Sequence, residues 1–118
     1  MTTFTRMLLS GSANGKPIPV AATATPGTLI HTAISGAAAF DEVYLEVSNV
    51  TGTAAVLTLE WGGVTDPGDL LTKQVSIPAN SPPVQISDGL NINGGLVIRA
   101  FSGTADALNI IGFVNRIA

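Results

Sequence analysis

Residues 41–50 alternate in character: Val43, Leu45 and Val47 are aliphatic, while Tyr44, Glu46 and Ser48 carry polar groups. Successive side chains of a strand point to opposite faces, so this run predicts a half-buried β-strand with its aliphatic set turned inward. Residues 54–61 repeat the pattern, with Ala55, Leu57, Leu59 and Trp61 on one face and Val56, Thr58 and Glu60 on the other. The link Asn49-Val50-Thr51-Gly52-Thr53 is short and turn-like, which predicts that the two runs form a β-hairpin. Residues 96–101 and 107–117, joined across Ser102-Gly103-Thr104, predict a second hairpin.

Shorter strands are expected at residues 73–77 and 84–86. Pro78, Pro82 and Pro83 between them have no N–H to donate, so that segment marks a sheet edge or a crossing between sheets. Gly62-Gly63, Asp66-Pro67-Gly68, Asp88-Gly89 and Asn93-Gly94-Gly95 are turn signals. Before residue 40 the pattern is weaker: residues 3–9 and 28–34 read as strands around a loop, and Ala37 to Ala39 as one helical turn. No long segment has a 3.6-residue period. The expected fold is all-β, a single antiparallel β-sandwich or jelly-roll-like domain with a short N-terminal arm. Residues 1–19 would supply that arm and a flexible loop, and residues 20–118 the sandwich.

Two details refine this picture. Gly52-Thr53-Ala54 with Leu57 matches Gly103-Thr104-Ala105 with Leu108, and at the same offset Leu45 and Val47 align with Leu96 and Ile98. So few matches point to convergence on similar turn chemistry rather than duplication. The last run is apolar on both faces, with Leu108, Ile110 and Val114 on one and Ile111, Phe113 and Ile117 on the other. Two-sided apolarity implies burial on both sides. Taken with Val97 and Phe101 on the preceding run, Ile111, Phe113 and Ile117 form a candidate subunit interface; cover by the N-terminal arm is the alternative.

Composition supports contacts of this kind. Of 118 residues 46% are hydrophobic and only 11% charged, where soluble domains average about 25% charged. Either apolar surface is covered in an assembly, or many small Ala, Gly and Thr residues raise the hydropathy without forming a patch. With five basic against eight acidic residues and no basic cluster, nucleic-acid binding is not expected. Absence of cysteine removes disulfides and thiolate metal sites. Met7, Leu8 and Leu9 are too short a run for a signal-peptide core, and no run approaches the roughly 20 apolar residues of a membrane span. The expectation is synthesis in a host cytoplasm without membrane association.

Catalytic chemistry finds few candidates. His31 is the single histidine, no Gly-x-Ser-x-Gly elbow is present, and zinc would need several His or Cys ligands. Asp41 and Glu42 should point to opposite faces of a strand. Asp66 and Asp69 bracket a Pro-Gly turn and suggest either turn initiation or a shared calcium ion, and residues 88–94 resemble a calcium loop without its terminal Glu. A glycosidase-like carboxylate pair is left to the fold, which sets the separation. The segment Gly11-Ser12-Ala13-Asn14-Gly15-Lys16 lacks P-loop spacing and reads as a flexible turn, and Asn49-Val50-Thr51 matches a glycosylation pattern but reads as a hairpin loop. Tyr44 and Trp61 are a possible sugar-stacking pair, with Trp61 placed by its aliphatic neighbours in the core. No catalytic, metal or cofactor-binding residue is assigned.

The run from Tyr44 to Ile117 resembles small β-sandwich proteins encoded among phage head and tail genes. The resemblance is carried by Tyr44-Leu45-Glu46-Val47-Ser48-Asn49 with its Thr-Gly-Thr-Ala turn, and by Ile77-Pro78-Ala79-Asn80-Ser81. It continues through Ile86-Ser87-Asp88-Gly89-Leu90, Gly94-Gly95-Leu96-Val97-Ile98-Arg99-Ala100 and Gly112-Phe113-Val114. It implies a virion structural protein, foremost a capsid decoration or cement protein that contacts the major capsid protein or other virion proteins and forms homo-oligomers, with a trimer favoured. The alternative is a tail, neck or carbohydrate-binding receptor module. The resemblance carries no catalytic residues and no cofactor.

Overall fold

The computed structural model describes residues 2–118 and contains two antiparallel sheets packed as a sandwich, with no helix among the described residues. The strands are β1 (Phe4–Leu8), β2 (Ile18–Pro19), β3 (Thr28–Thr32), β4 (Phe40–Asn49), β5 (Ala55–Trp61), β6 (Leu70–Ile77), β7 (Val84–Ile92), β8 (Val97–Ser102) and β9 (Leu108–Ile117). The five-stranded sheet runs β1-β9-β4-β7, with β2 continuing the line of β1 along β9. The four-stranded sheet runs β3-β8-β5-β6.

The alternation read from the sequence holds at the core. Val43, Leu45 and Val47 of β4 and Leu108, Ile110 and Val114 of β9 meet Leu57 and Leu59 of β5, Ile98 and Ala100 of β8 and Ile30 of β3. Each fully buried aliphatic side chain contributes about 1.5–3 kcal/mol through loss of water-exposed surface.

Both expected hairpins are corrected. β4 pairs with β7 and β9, whereas β5 pairs with β6 and β8, so the link at residues 50–54 carries the chain from one sheet to the other. The link from β8 to β9 does the same in reverse. The two arches lie side by side, with Asn49 opposite Leu108 in one sheet and Leu57 opposite Ser102 in the other. Each is stabilised by a buried polar residue. Asn49 accepts from the Thr51 amide (2.9 Å) and hydroxyl (2.8 Å) and donates to the carbonyls of Thr53 (2.9 Å) and Ile77 (3.1 Å). Ser102 accepts from the Thr104 amide at 3.2 Å. These caps fall out of register with the Gly-Thr-Ala echo, in keeping with convergence on corner chemistry.

Other turn expectations also change. Asp88-Gly89 sits inside β7, where Gly89 (φ 79°) makes a bulge beneath the Tyr44 ring. Ala37 and Ala38 form bends and Ala39 is irregular, where one helical turn is expected. The proline-rich stretch crosses between β6 and β7, which are the edge strands of their two sheets. Residues 3–19 do not project as a separate arm: β1 and β2 line β9, and Leu9 and Ile18 are in the core. Met1 lies outside the described residues. The Gly11 amide donates to the Ile30 carbonyl at 2.9 Å, tying the intervening loop to the opposite sheet at a distance that leaves no room for a side chain.

Candidate functional site

Three polar groups meet in the interior. His31 on β3 and Asp41 on β4 belong to opposite sheets, and Arg116 is the direct cross-strand neighbour of Asp41 on β9. The Ser10 amide donates to His31 Nδ1 at 3.1 Å, so in the neutral ring the proton is on Nε2, which donates to Asp41 Oδ2 at 2.8 Å. Arg116 donates through Nε to Oδ1 (2.8 Å) and through Nη2 to Oδ2 (3.0 Å), and the Ile34 amide adds a bond at 3.2 Å. Burial pushes the Asp41 pKa up, but the hydrogen bonds from Arg116 and His31 outweigh it and hold the carboxyl below its ordinary range. The same pair raises Arg116 above its ordinary value, against a smaller desolvation effect. Both nitrogens of His31 are occupied, so the ring offers no lone pair to a substrate. This cluster joins the sheets.

Glu60, expected on a polar face, is fully buried on the outer side of the four-stranded sheet. The loop at residues 22–27 folds over it, with the Thr25 hydroxyl donating at 2.6 Å and the Gly27 amide at 2.7 Å. The two buried carboxylates, Asp41 and Glu60, thus sit on different sheets with separate partners. Of the two readings of Asp66 and Asp69, the structure gives partners to the turn: Asp66 accepts from Lys73 Nζ at 2.7 Å, and Asp69 accepts from the Thr65 amide of its own loop at 3.1 Å. Residues 88–92 are strand rather than a metal loop. Asn49 is buried with its amide fully engaged, which leaves its nitrogen inaccessible to a glycan. Tyr44 and Trp61 lie on different sheets and share no platform.

The interface candidates divide between two surfaces. Ile111, Phe113 and Ile117 are on the outer face of the five-stranded sheet; Val97 and Phe101 alternate with buried Ile98 and Ala100 on the outer face of the other sheet. The expected grouping required β8 and β9 to pair, and they do not. The three β9 residues have other neighbours instead. Register places Phe4, Ile117 and Phe40 in one row, Arg6, Asn115 and Glu42 in the next, and Leu8, Phe113 and Tyr44 in a third. Phe113 stacks on Tyr44 with centroids 4.7 Å apart and planes 14° from parallel, and the Arg6 guanidinium sits 3.9 Å from the Phe113 centroid. Phe4 is 71% exposed, Leu8 56% and Ile111 38%, so the face is apolar and open.

This surface was half legible. The two-sided apolarity of β9 announced it, but Phe4, Leu8 and Arg6 join only because β1 pairs with β9. Of the alternatives weighed for β9, cover by the N-terminal arm does not hold, because β1 pairs beside β9 and flanks the outer face rather than covering it. No family model, curated protein or solved structure matches this chain.

Proposed function

We propose that the chain is a structural subunit of a phage particle, foremost a capsid decoration protein, which works by contact with neighbouring proteins. The observation that carries this reading is the open outer face of β1, β9 and β4, where Leu8, Phe113 and Ile111 form one apolar group and Phe4, Ile117 and Phe40 another, with the Arg6, Asn115 and Glu42 row between them. Exposed apolar groups set among polar residues in this way mark an interaction site. The strand order supports the reading, since β1/β2-β9-β4-β7 over β3-β8-β5-β6 is that of a jelly roll, an architecture used by viral capsid and lectin domains. The test is quantitative mass spectrometry of purified particles from the source phage. Abundance near that of the major shell protein is the expected result; a handful of copies would move the assignment to neck or tail, and absence would overturn it.

A second reading, a receptor module for carbohydrate, is favoured by one feature. Phe40, Asn91, Ile92 and Asn93 line a shallow cavity of about 210 Å³, which sets an aromatic ring beside side-chain amides. Binding on a glycan array that is lost in Asn91→Ala would support this alternative.

A further inference from the structure

We infer that the outer face of the five-stranded sheet is a self-complementary dimerisation surface, on which a second copy of this chain packs about a two-fold axis running along β9. The inference deepens the assembly reading by naming the partner of the same face, and it rests on that reading only for the face being an interface.

The register carries the argument. β9 is flanked by β1 on one side and β4 on the other, and at the Asn115 level these present Arg6 and Glu42. A two-fold axis in the interface along β9 exchanges left and right while keeping the level along the strands. Each Arg6 then lies over Glu42 of the other copy. On the same operation Phe4 lies over Phe40, Leu8 over Tyr44, and Ile111 and Ile117 meet their own equivalents, with Phe113 held between Tyr44 and Arg6 of its own copy. Opposite charges meet at the Asn115 level and apolar residues meet at the Ile117 and Phe113 levels, while Glu46, beside Ile111, falls at the end of the face beyond the last residue of β1. A two-fold axis across the strands at the Phe113 level sets the Ile117 row against the Asn109 and Ser48 row and separates the charges, and one at the Asn115 level sets Arg6 over Arg6 and Glu42 over Glu42. Face-packed sheets keep their strands within about 30° of each other, which the axis along β9 permits. An isologous interface of this kind is the commonest route to a closed oligomer.

Area sets the expected strength. Ten residues of β9 at about 3.3 Å each, across three strands about 4.8 Å apart, give a flat footprint of roughly 500 Å² per copy, or about 1,000 Å² in all. That is near the lower bound for a specific interface, so the dimer should be reversible and concentration-dependent.

The experiment is sedimentation equilibrium of the full chain from about 1 μM to 1 mM, a span that brackets an interface of this size. Wild type should pass from monomer to dimer. Arg6→Glu places Glu over Glu at both pairs and Glu42→Arg places Arg over Arg, so each variant alone should dimerise at least about tenfold more weakly. Mixing the two variants restores both opposite-charge pairs in the heterodimer and should recover wild-type affinity. Leu8→Asp, on an exposed side chain clear of the core, is an independent disruptor that should also give monomer. A wild type that stays monomeric, a trimer, or a mixture that fails to recover would each overturn the inference. Particle abundance decides the broader reading separately: a monomer present at high copy would leave that reading standing and assign the face to the shell protein.

Discussion

Asp41→Asn should destabilise the fold severely, and by an amount that depends on pH. The carboxylate accepts four hydrogen bonds, two from Arg116 and one each from His31 and the Ile34 amide, with no side-chain exposure of its own. Breaking a buried ion pair by removing one partner costs about 3–5 kcal/mol, because the surviving charge is left unpaired. Arg116 keeps about a quarter of its side chain in solvent, so water relieves part of this; His31 has no such relief. The lower end, about 3 kcal/mol, is therefore expected, equivalent to roughly 10 °C in Tm for a domain of this size.

The pH dependence follows from the lowered pKa of Asp41. A carboxyl held below its unfolded value contributes stability that is fully present above about pH 4 and is lost as pH falls through the folded value. The gap between wild type and Asp41→Asn, measured by urea denaturation followed by circular dichroism, should be full at pH 7 and shrink below pH 4. A gap under about 1 kcal/mol at pH 7 would refute the ion-pair account. A gap unchanged on acidification would refute the linkage.

Asn49→Ala removes the polar anchor of one arch and leaves the Ile77 carbonyl without its side-chain donor, while the Thr53 carbonyl keeps the Thr51 hydroxyl at 3.0 Å, so a loss of about 1–3 kcal/mol by thermal denaturation is expected. Gly112→Ala would drive a Cβ into the Tyr44 carbonyl of the adjacent β4, and should cost at least about 3 kcal/mol or abolish soluble expression. Gly52→Ala, with nothing near its side-chain position, should change stability by less than about 0.5 kcal/mol in the same melt. Lys73→Ala breaks an ion pair exposed on both sides and should likewise cost under about 1 kcal/mol.

Several residues show how far local pattern reaches. Alternation alone places Val43, Leu45, Val47, Leu57 and Leu59 in the core, and all are buried. The opposite faces of Asp41 and Glu42 followed from the same rule. Thr58 and Glu60 obeyed it too, yet are buried on the outer side: the Gln74 amide bonds Thr58 Oγ1 at 3.1 Å, and the 22–27 loop covers Glu60. The partners of His31 were beyond reach, because Asp41 is ten residues away and Arg116 lies on the final strand.

Strand positions, inward faces and the all-β class are properties of the sequence itself, because the two-residue period of a strand is a local geometric fact written into neighbouring residues. Partner choice is not local. A short connection between two alternating runs is met equally well by a hairpin within one sheet or by an arch between two, and the difference lies in whether β4 gains more from β9 and β7 or from β5. Burial of both apolar faces across the whole chain decides that competition. Only the tertiary structure could therefore separate Val97 and Phe101 from Ile111, Phe113 and Ile117, and set Arg6, Phe113 and Glu42 on one surface.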